Sequence, residues 1–147
     1  MHDIRLARSD EEIRSTFAVM AQLRTHLAED DYVSLVKSMQ AEGGYLLAYL
    51  EHGGHVHAVA GFGIKRSLAW GRHVYVDDLV SNQSMRSAGY GKALLAWIAK
   101  YAAARGCKQM HLDSGVQRHD AHRFYLRERM DITCYHFRLE LYRSRTT

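Results

Sequence analysis

Two features of the chain could do chemistry, and both need an anion or a proton. The first is "SMRSAGYGKALLAWIAK", residues 84 to 100, in which Gly89 and Gly91 stand directly ahead of an alanine-rich apolar helix. Arg86 precedes them by three residues and Lys92 follows at once. The first turn of a helix has unpaired N–H groups and the positive end of the helix dipole, and glycine lets a phosphate approach that backbone. Arg86 and Lys92 add charge-assisted contacts. The second feature is a pair of adjacent carboxylates, Asp77 and Asp78, ahead of "LVS", either of which could take or give a proton.

Three anion-binding loops resemble the first stretch. A nucleotide P-loop needs a glycine at position 86 and a hydroxyl after the lysine, and the chain has Arg86 and Ala93 there. A dinucleotide fingerprint needs a third glycine where Leu94 stands. The third loop, (Arg or Gln)-x-x-Gly-x-(Gly or Ala), is matched in full by Arg86, Gly89 and Gly91.

The elements that position these groups are legible in the periodicity. "DIRLAR" (3–8) alternates as a strand, and Ser9 with Glu12 forms a capping-box signature for a helix over about 10–27. "EDDYVSLVKSMQAEG" has acidic residues at its start and glycines at its end, as a second helix does. Strands over 45–51 and 55–67, joined by a short glycine turn, read as an antiparallel hairpin. A strand over 73–81, the glycine-loop helix and a strand over 108–115 make a right-handed parallel crossover. A helix over 118–130 and a last strand over 133–142 complete the order β-α-α-β-β-β-α-β-α-β. The implied fold class is α+β, a mixed and mostly antiparallel sheet flanked by helices, in one domain spanning 1–147.

With 147 residues, 47% apolar and 24% charged, the composition is that of an ordinary globular domain. A net charge of +4 suits an anionic ligand, and its scattered lysines and arginines do not argue for nucleic acid. No apolar run is long enough for a membrane span and no signal peptide opens the chain, so the expected location is cytoplasmic. Cys107 and Cys134 lack metal-ligand spacing and have no evident base partner, so buried free thiols are expected. His55 with His57, and His119 with His122, could each give two ligands to a metal, but locally hydrogen-bonded histidines are the commoner outcome, and no metal is expected.

Around the third loop, the chain resembles the Gcn5-related N-acetyltransferase family. The resemblance runs through the helix-rich first third, the hairpin, the glycine loop and the strand-helix-strand ending. Ala121, Phe124 and Tyr125 follow the family's alanine-x-x-aromatic-tyrosine pattern, and "VQRHDAHRFYLRE" is similar to a segment of bacterial aminoalkylphosphonate acetyltransferases. Arg118 replaces a frequent asparagine, and Met130 with Asp131 replaces a glycine-aromatic pair at the helix exit.

The resemblance implies acetyl-CoA as co-substrate and a small-molecule primary amine as acceptor, with direct attack in a ternary complex. Its pyrophosphate would lie on Arg86, Ser87, Ala88, Gly89, Tyr90, Gly91 and Lys92. The backbone of Leu79, Val80 and Ser81 would pair with pantetheine where the strand splays at a bulge. Tyr125 would be the acid for the departing thiolate, and Asp78, at the family's frequent glutamate position, a base acting directly or through water. Adjacent strand residues point to opposite faces, so only one of Asp77 and Asp78 can face the substrate. Arg66, Arg72, Arg118 or Arg123 could hold an acid group on the amine, and His111 and Asp113 could line the acceptor cleft. The last strand could pair across a homodimer. A non-catalytic acyl-CoA sensor of the same fold is the rival reading.

Overall fold

The computed structural model describes residues 2–86 and 88–142. The chain divides into two compact units, Met1–Leu112 and Asp113–Thr147. The first holds β1 (Asp3–Leu6), α1 (Asp10–Ser15), α2 (Phe17–Leu23), α3 (Glu29–Gly43), β2 (Leu46–His52), β3 (His55–Ser67), β4 (Gly71–Ser81), a short 3-10 turn (Gln83–Met85), α4 (Tyr90–Ala103) and β5 (Met110–Leu112). The second holds α5 (His119–Arg127).

The sheet runs in chain order, β1-β2-β3-β4-β5. The first three pairings are antiparallel, and β4 with β5 is parallel, as a strand-helix-strand crossover requires. The β2–β3 hairpin turns through Gly53 and Gly54 at φ 62° and 78°, the pair of positive values that a two-residue hairpin turn needs. One face of the sheet buries Leu47, Tyr49 and Val59 against Ile13, Val19, Met20, Tyr32 and Val36 of the first three helices. Alternate residues bury as well, including Ala48, Leu50, Ala58 and Ala60. They face the other way, where α4 packs with Leu94, Leu95 and Ile98 buried and Tyr101 edge-on to Phe62.

Two expectations fail. The single helix over 10–27 is two helices, broken at Thr16. The Thr16 hydroxyl, fully buried, donates to Ile13 O (2.6 Å) and accepts from the Tyr32 hydroxyl (2.7 Å). A side chain that hydrogen-bonds its own preceding turn competes with the helix backbone, and the core is built around that break. The Ser9–Glu12 capping box does form ahead of it. The strand over 133–142 is absent: those residues carry no regular secondary structure and are exposed. The alternation of Tyr135, Phe137, Leu139 and Leu141 is strand-like, but a strand exists only with a hydrogen-bonding neighbour, and the described residues give this segment none.

Candidate active site

The anion cradle begins where β4 ends. Asn82 caps the short 3-10 turn by accepting from Ser84 N–H, and the chain enters α4 through Gly89 at φ 82°, ψ 11°. This left-handed N-cap suits glycine above all other residues. The first N–H bonded within the helix is that of Ala93, to Gly89 O at 3.0 Å, so Tyr90, Gly91 and Lys92 present their N–H groups ahead of the helix ladder. Gly91 has a steric reason of its own: a Cβ there would stand 2.8 Å from the Ser81 Oγ. The loop therefore keeps its first turn free of side-chain bulk against the end of β4, with Arg86 and Lys92 both exposed beside it. This arrangement fits a diphosphate. Ser87 lies outside the described residues.

Next to the cradle, β4 is built to part from β5. Their pairing covers only Val74–Val76 against Met110–Leu112. Directly after it the β3 register shifts: Gly61 pairs with Asp78 and Phe62 with Val76, which leaves Asp77 as the extra residue of a bulge. From Asp78 to Ser81 the described pairing of β4 is to β3 alone. The other backbone edge of Leu79, Val80 and Ser81 thus lies outside the described strand pairing.

The bulge also decides between the two carboxylates. Asp78 turns onto the helix side, where its Oδ1 accepts from Arg24 Nε (2.9 Å) and its Oδ2 from the Tyr45 hydroxyl (2.8 Å). A second Arg24 nitrogen donates to Asp77 O at 2.8 Å, so one guanidinium ties α2's end to both residues of the bulge. Burial and the Asp78 charge push the Tyr45 hydroxyl far above its ordinary pKa, so it is a donor at any working pH. Gly61 makes room for this contact: a Cβ there would overlap the Tyr45 hydroxyl. Asp77 instead lines an open cavity of about 330 Å³ together with Glu42, Tyr45, Gly63 and Lys65. Sequence reasoning missed Arg24, Tyr45 and Gly61. The glycine pair inside the strand "AGFGI" was the available signal for a close approach.

Beyond the cavity, Lys65 Nζ lies 5.3 Å over the Tyr75 ring, and His111 stacks between Tyr75 and Trp70. Burial and the neighbouring His73 lower the His111 pKa. Three of the four arginines considered for an acid group have partners of their own. Arg72 Nε donates to Arg105 O just past α4, while Arg66, opposite Arg72 in the strand register, is exposed. Arg123 pairs with Asp120, and Arg118 hydrogen-bonds Tyr125.

The histidine pairs bond locally. His57 Nε2 donates to His52 O at 3.0 Å, its ring stacked on Tyr90, and His122 Nε2 donates to Gly115 O at 2.7 Å. Among the described residues, no three histidine, cysteine or acidic side chains are grouped to hold a metal.

In the second unit, Tyr125 is the buried residue of α5. Burial raises the pKa of its hydroxyl, and Arg118 partly opposes that shift. The unusual helix exit has a structural counterpart. Arg129 takes φ 67°, its N–H bonds Leu126 O, and Met130 N–H reaches back to Tyr125 O at 3.0 Å. This is a Schellman closure with arginine where glycine is usual.

The glycine-capped helix and the bulged strand lie within a stretch of the chain that has known relatives. The model of the acetyltransferase (GNAT) family matches residues 10–130. The chain belongs to the GNAT family and is an acetyltransferase. An uncharacterised N-acetyltransferase of Bacillus subtilis, YhdJ, is 35% identical over 117 residues, which are 80% of this chain and 82% of that one. An aminoalkylphosphonate N-acetyltransferase of Salmonella typhimurium is 42% identical over 53 residues, 36% of this chain and 34% of that one. Among solved structures, the aminoglycoside N-acetyltransferase AAC(6')-Iy in complex with CoA superposes with a TM-score of 0.80 at 17% identity, covering 99% of this chain and 96% of that one. A transcriptional regulator from Bacillus halodurans gives 0.84 at 18%, covering 96% and 100%. At such identities these two show the shared fold. Among the described residues, no helix is long and apolar enough to cross a membrane.

Proposed function

We propose that the chain, as one domain over 1–147, transfers an acetyl group from acetyl-CoA to the primary amine of a small molecule. The observation that carries this reading is the half-free β4 edge, residues 78–81, running into the glycine-capped start of α4. Acetyl-CoA supplies the activated acetyl thioester. Arg86, Ser87, Ala88, Gly89, Tyr90, Gly91 and Lys92 hold its diphosphate, and the backbone of Leu79, Val80 and Ser81 lines its pantetheine arm. A β4 N–H offers the thioester carbonyl a donor, whose worth grows as charge develops on that oxygen.

The amine must lose a proton as its nitrogen bonds the carbonyl carbon and the carbon–sulfur bond breaks. Both Asp78 oxygens already accept hydrogen bonds, so Asp78 takes part through water and by fixing the bulge, and Asp77 faces the cavity as the second carboxylate. The family position makes Tyr125 the acid for the departing sulfur. Burial raises its pKa, which keeps the phenol protonated through neutral pH.

Release of free thiol from acetyl-CoA across a panel of amines tests the reading. Tyr125→Phe should lower kcat about 100-fold and leave CoA affinity nearly unchanged. The Cys107→Ser, Cys134→Ser double variant should keep full activity, because direct attack needs no cysteine. A protein that binds CoA but acetylates no amine would instead be a sensor.

A further inference from the structure

In the anion cradle, Gly89-Tyr90-Gly91, Tyr90 alone carries a side chain. Glycine leaves the backbone on either side of it with unusual freedom, so local preference does not fix the direction of its N–H. The Tyr90 ring lies parallel on the ring of His57, with centroids 4.9 Å apart and planes at 16°. His52 stands tilted to it at 6.1 Å and His2 edge-on at 6.3 Å. His57 is the extra residue of a bulge in β3, because Leu50 pairs with Ala58 and Glu51 with Val56. A bulge re-aims the side chain it carries. The bond from Nε2–H to His52 O, 3.0 Å, tethers the ring and puts its proton on Nε2. Nδ1 is left buried with no hydrogen-bond partner among the described residues. The backbone of the same residue holds the start of the loop, for its carbonyl accepts from Asn82 N–H at 2.7 Å. His57 thus touches the loop at Asn82, where it begins, and at Tyr90, where it enters α4.

We infer that His57 is a positioning residue for coenzyme A, which sets the Tyr90 N–H, and the two that follow it, toward the diphosphate. Buried polar atoms are seldom left unpaired, so the orphaned Nδ1 needs a reason. A ring placed to satisfy its own nitrogens would not leave one unpaired, whereas a ring placed for its face against Tyr90 can. The face is what this position uses, and Nε2–H is its tether. Without that anchor the glycine-flanked turn samples other conformers. Affinity then falls in proportion to the fraction of chains that hold the binding conformer. The reacting thioester lies along β4 and not on this turn, so the loss belongs to binding and not to the chemical step. The inference rests on the reading of the loop as a coenzyme A cradle, and its test separates the two.

Calorimetry with CoA should show His57→Ala binding about three- to tenfold more weakly, the span of a stacked ring pair. His57→Phe keeps the ring face and should recover most of that loss, although it gives up the tether to His52 O. Tyr90→Ala keeps the backbone N–H that meets the phosphate and should weaken binding by the same factor. The double variant His57→Ala, Tyr90→Ala should lose no more than either alone, since the two rings act as one unit. With an accepted amine, His57→Ala should raise KM for acetyl-CoA by that factor and keep kcat within about twofold. Partial misfolding would lower the calorimetric stoichiometry and leave the Kd of the folded fraction unchanged. His55→Ala, at an exposed position of the same strand, is the control and should bind CoA as wild type does. A His57→Ala protein with wild-type affinity overturns the inference. So do a His57→Phe protein no better than His57→Ala, losses that add in the double variant, or an equal loss in His55→Ala. A wild-type chain that binds no CoA overturns the cradle reading itself and this inference with it, whereas equal binding by wild type and His57→Ala overturns the inference alone.

Discussion

Gly61→Ala should be among the most damaging single-methyl additions to this protein. The backbone at Gly61 has ordinary φ, so the effect is steric. The new Cβ would overlap the Tyr45 ring and hydroxyl and stand 2.6 Å from Asp78 Oδ2. Tyr45 is buried and lies between α3 and the sheet, so it cannot swing away freely. Overpacking costs about 1–3 kcal/mol. Loss of the Tyr45–Asp78 hydrogen bond, neutral donor to charged acceptor, costs about 1.5–3 kcal/mol more. Loss of glycine's freedom in the unfolded chain offsets about 0.4–1 kcal/mol. The net is a destabilisation of roughly 2–5 kcal/mol, or a fall in Tm on the order of 10 °C for a chain of this size. Thermal unfolding by circular dichroism reads it. Gly63→Ala is the matched control, because its nearest neighbour would be Gly44 O at an ordinary 3.7 Å, and its Tm should move little. On a Tyr45→Leu background the added methyl should cost much less, since the overlap with the Tyr45 hydroxyl and ring is gone and only the contact with Asp78 Oδ2 at 2.6 Å remains. A Gly61→Ala protein that melts within 2 °C of wild type (under about 1 kcal/mol) would refute the account of the bulge.

Gly91→Ala should weaken CoA binding about tenfold in calorimetry, because its Cβ would press on the Ser81 Oγ at 2.8 Å; Ser81→Ala should recover most of the loss. Arg129→Gly should stabilise the protein by about 1 kcal/mol in denaturant unfolding, since it removes a left-handed arginine from the exit of α5. The Ser9 and Arg8 N–H groups hold the Glu12 carboxyl down at about 2. A folded pKa below the unfolded value gives stability that is present above pH ~4.5 and lost as pH falls from there toward 2. Glu12→Gln keeps the capping geometry and should flatten that part of the Tm–pH curve. With the Tyr125 pKa raised by burial, no alkaline loss of activity from this group should appear below pH ~10. A limb nearer pH 8 that vanishes in Tyr125→Phe would contradict the role given to its burial.

Much of this protein is determined locally and so can be read from the sequence. The glycine turn at Gly53–Gly54, the capping box at Ser9 and the helix start at Gly89 are set by residues adjacent in the chain, whose backbone preferences survive any tertiary context. The excluded nucleotide loops were settled the same way, by the residues at positions 86, 93 and 94. The choice between Asp77 and Asp78 could not be read locally. Alternation said only that they face apart. The bulge opposite Gly61 and Phe62, and the arrival of Arg24 and Tyr45 from 54 and 33 residues away, assigned one to the helix side and the other to the cavity. The helix break at Thr16 likewise needed Tyr32, one helix further on, to donate to the buried hydroxyl. Residues 133–142 show the limit from the other side. Their alternation specifies a strand, but a strand is a relation between two segments, and the described residues do not supply the second.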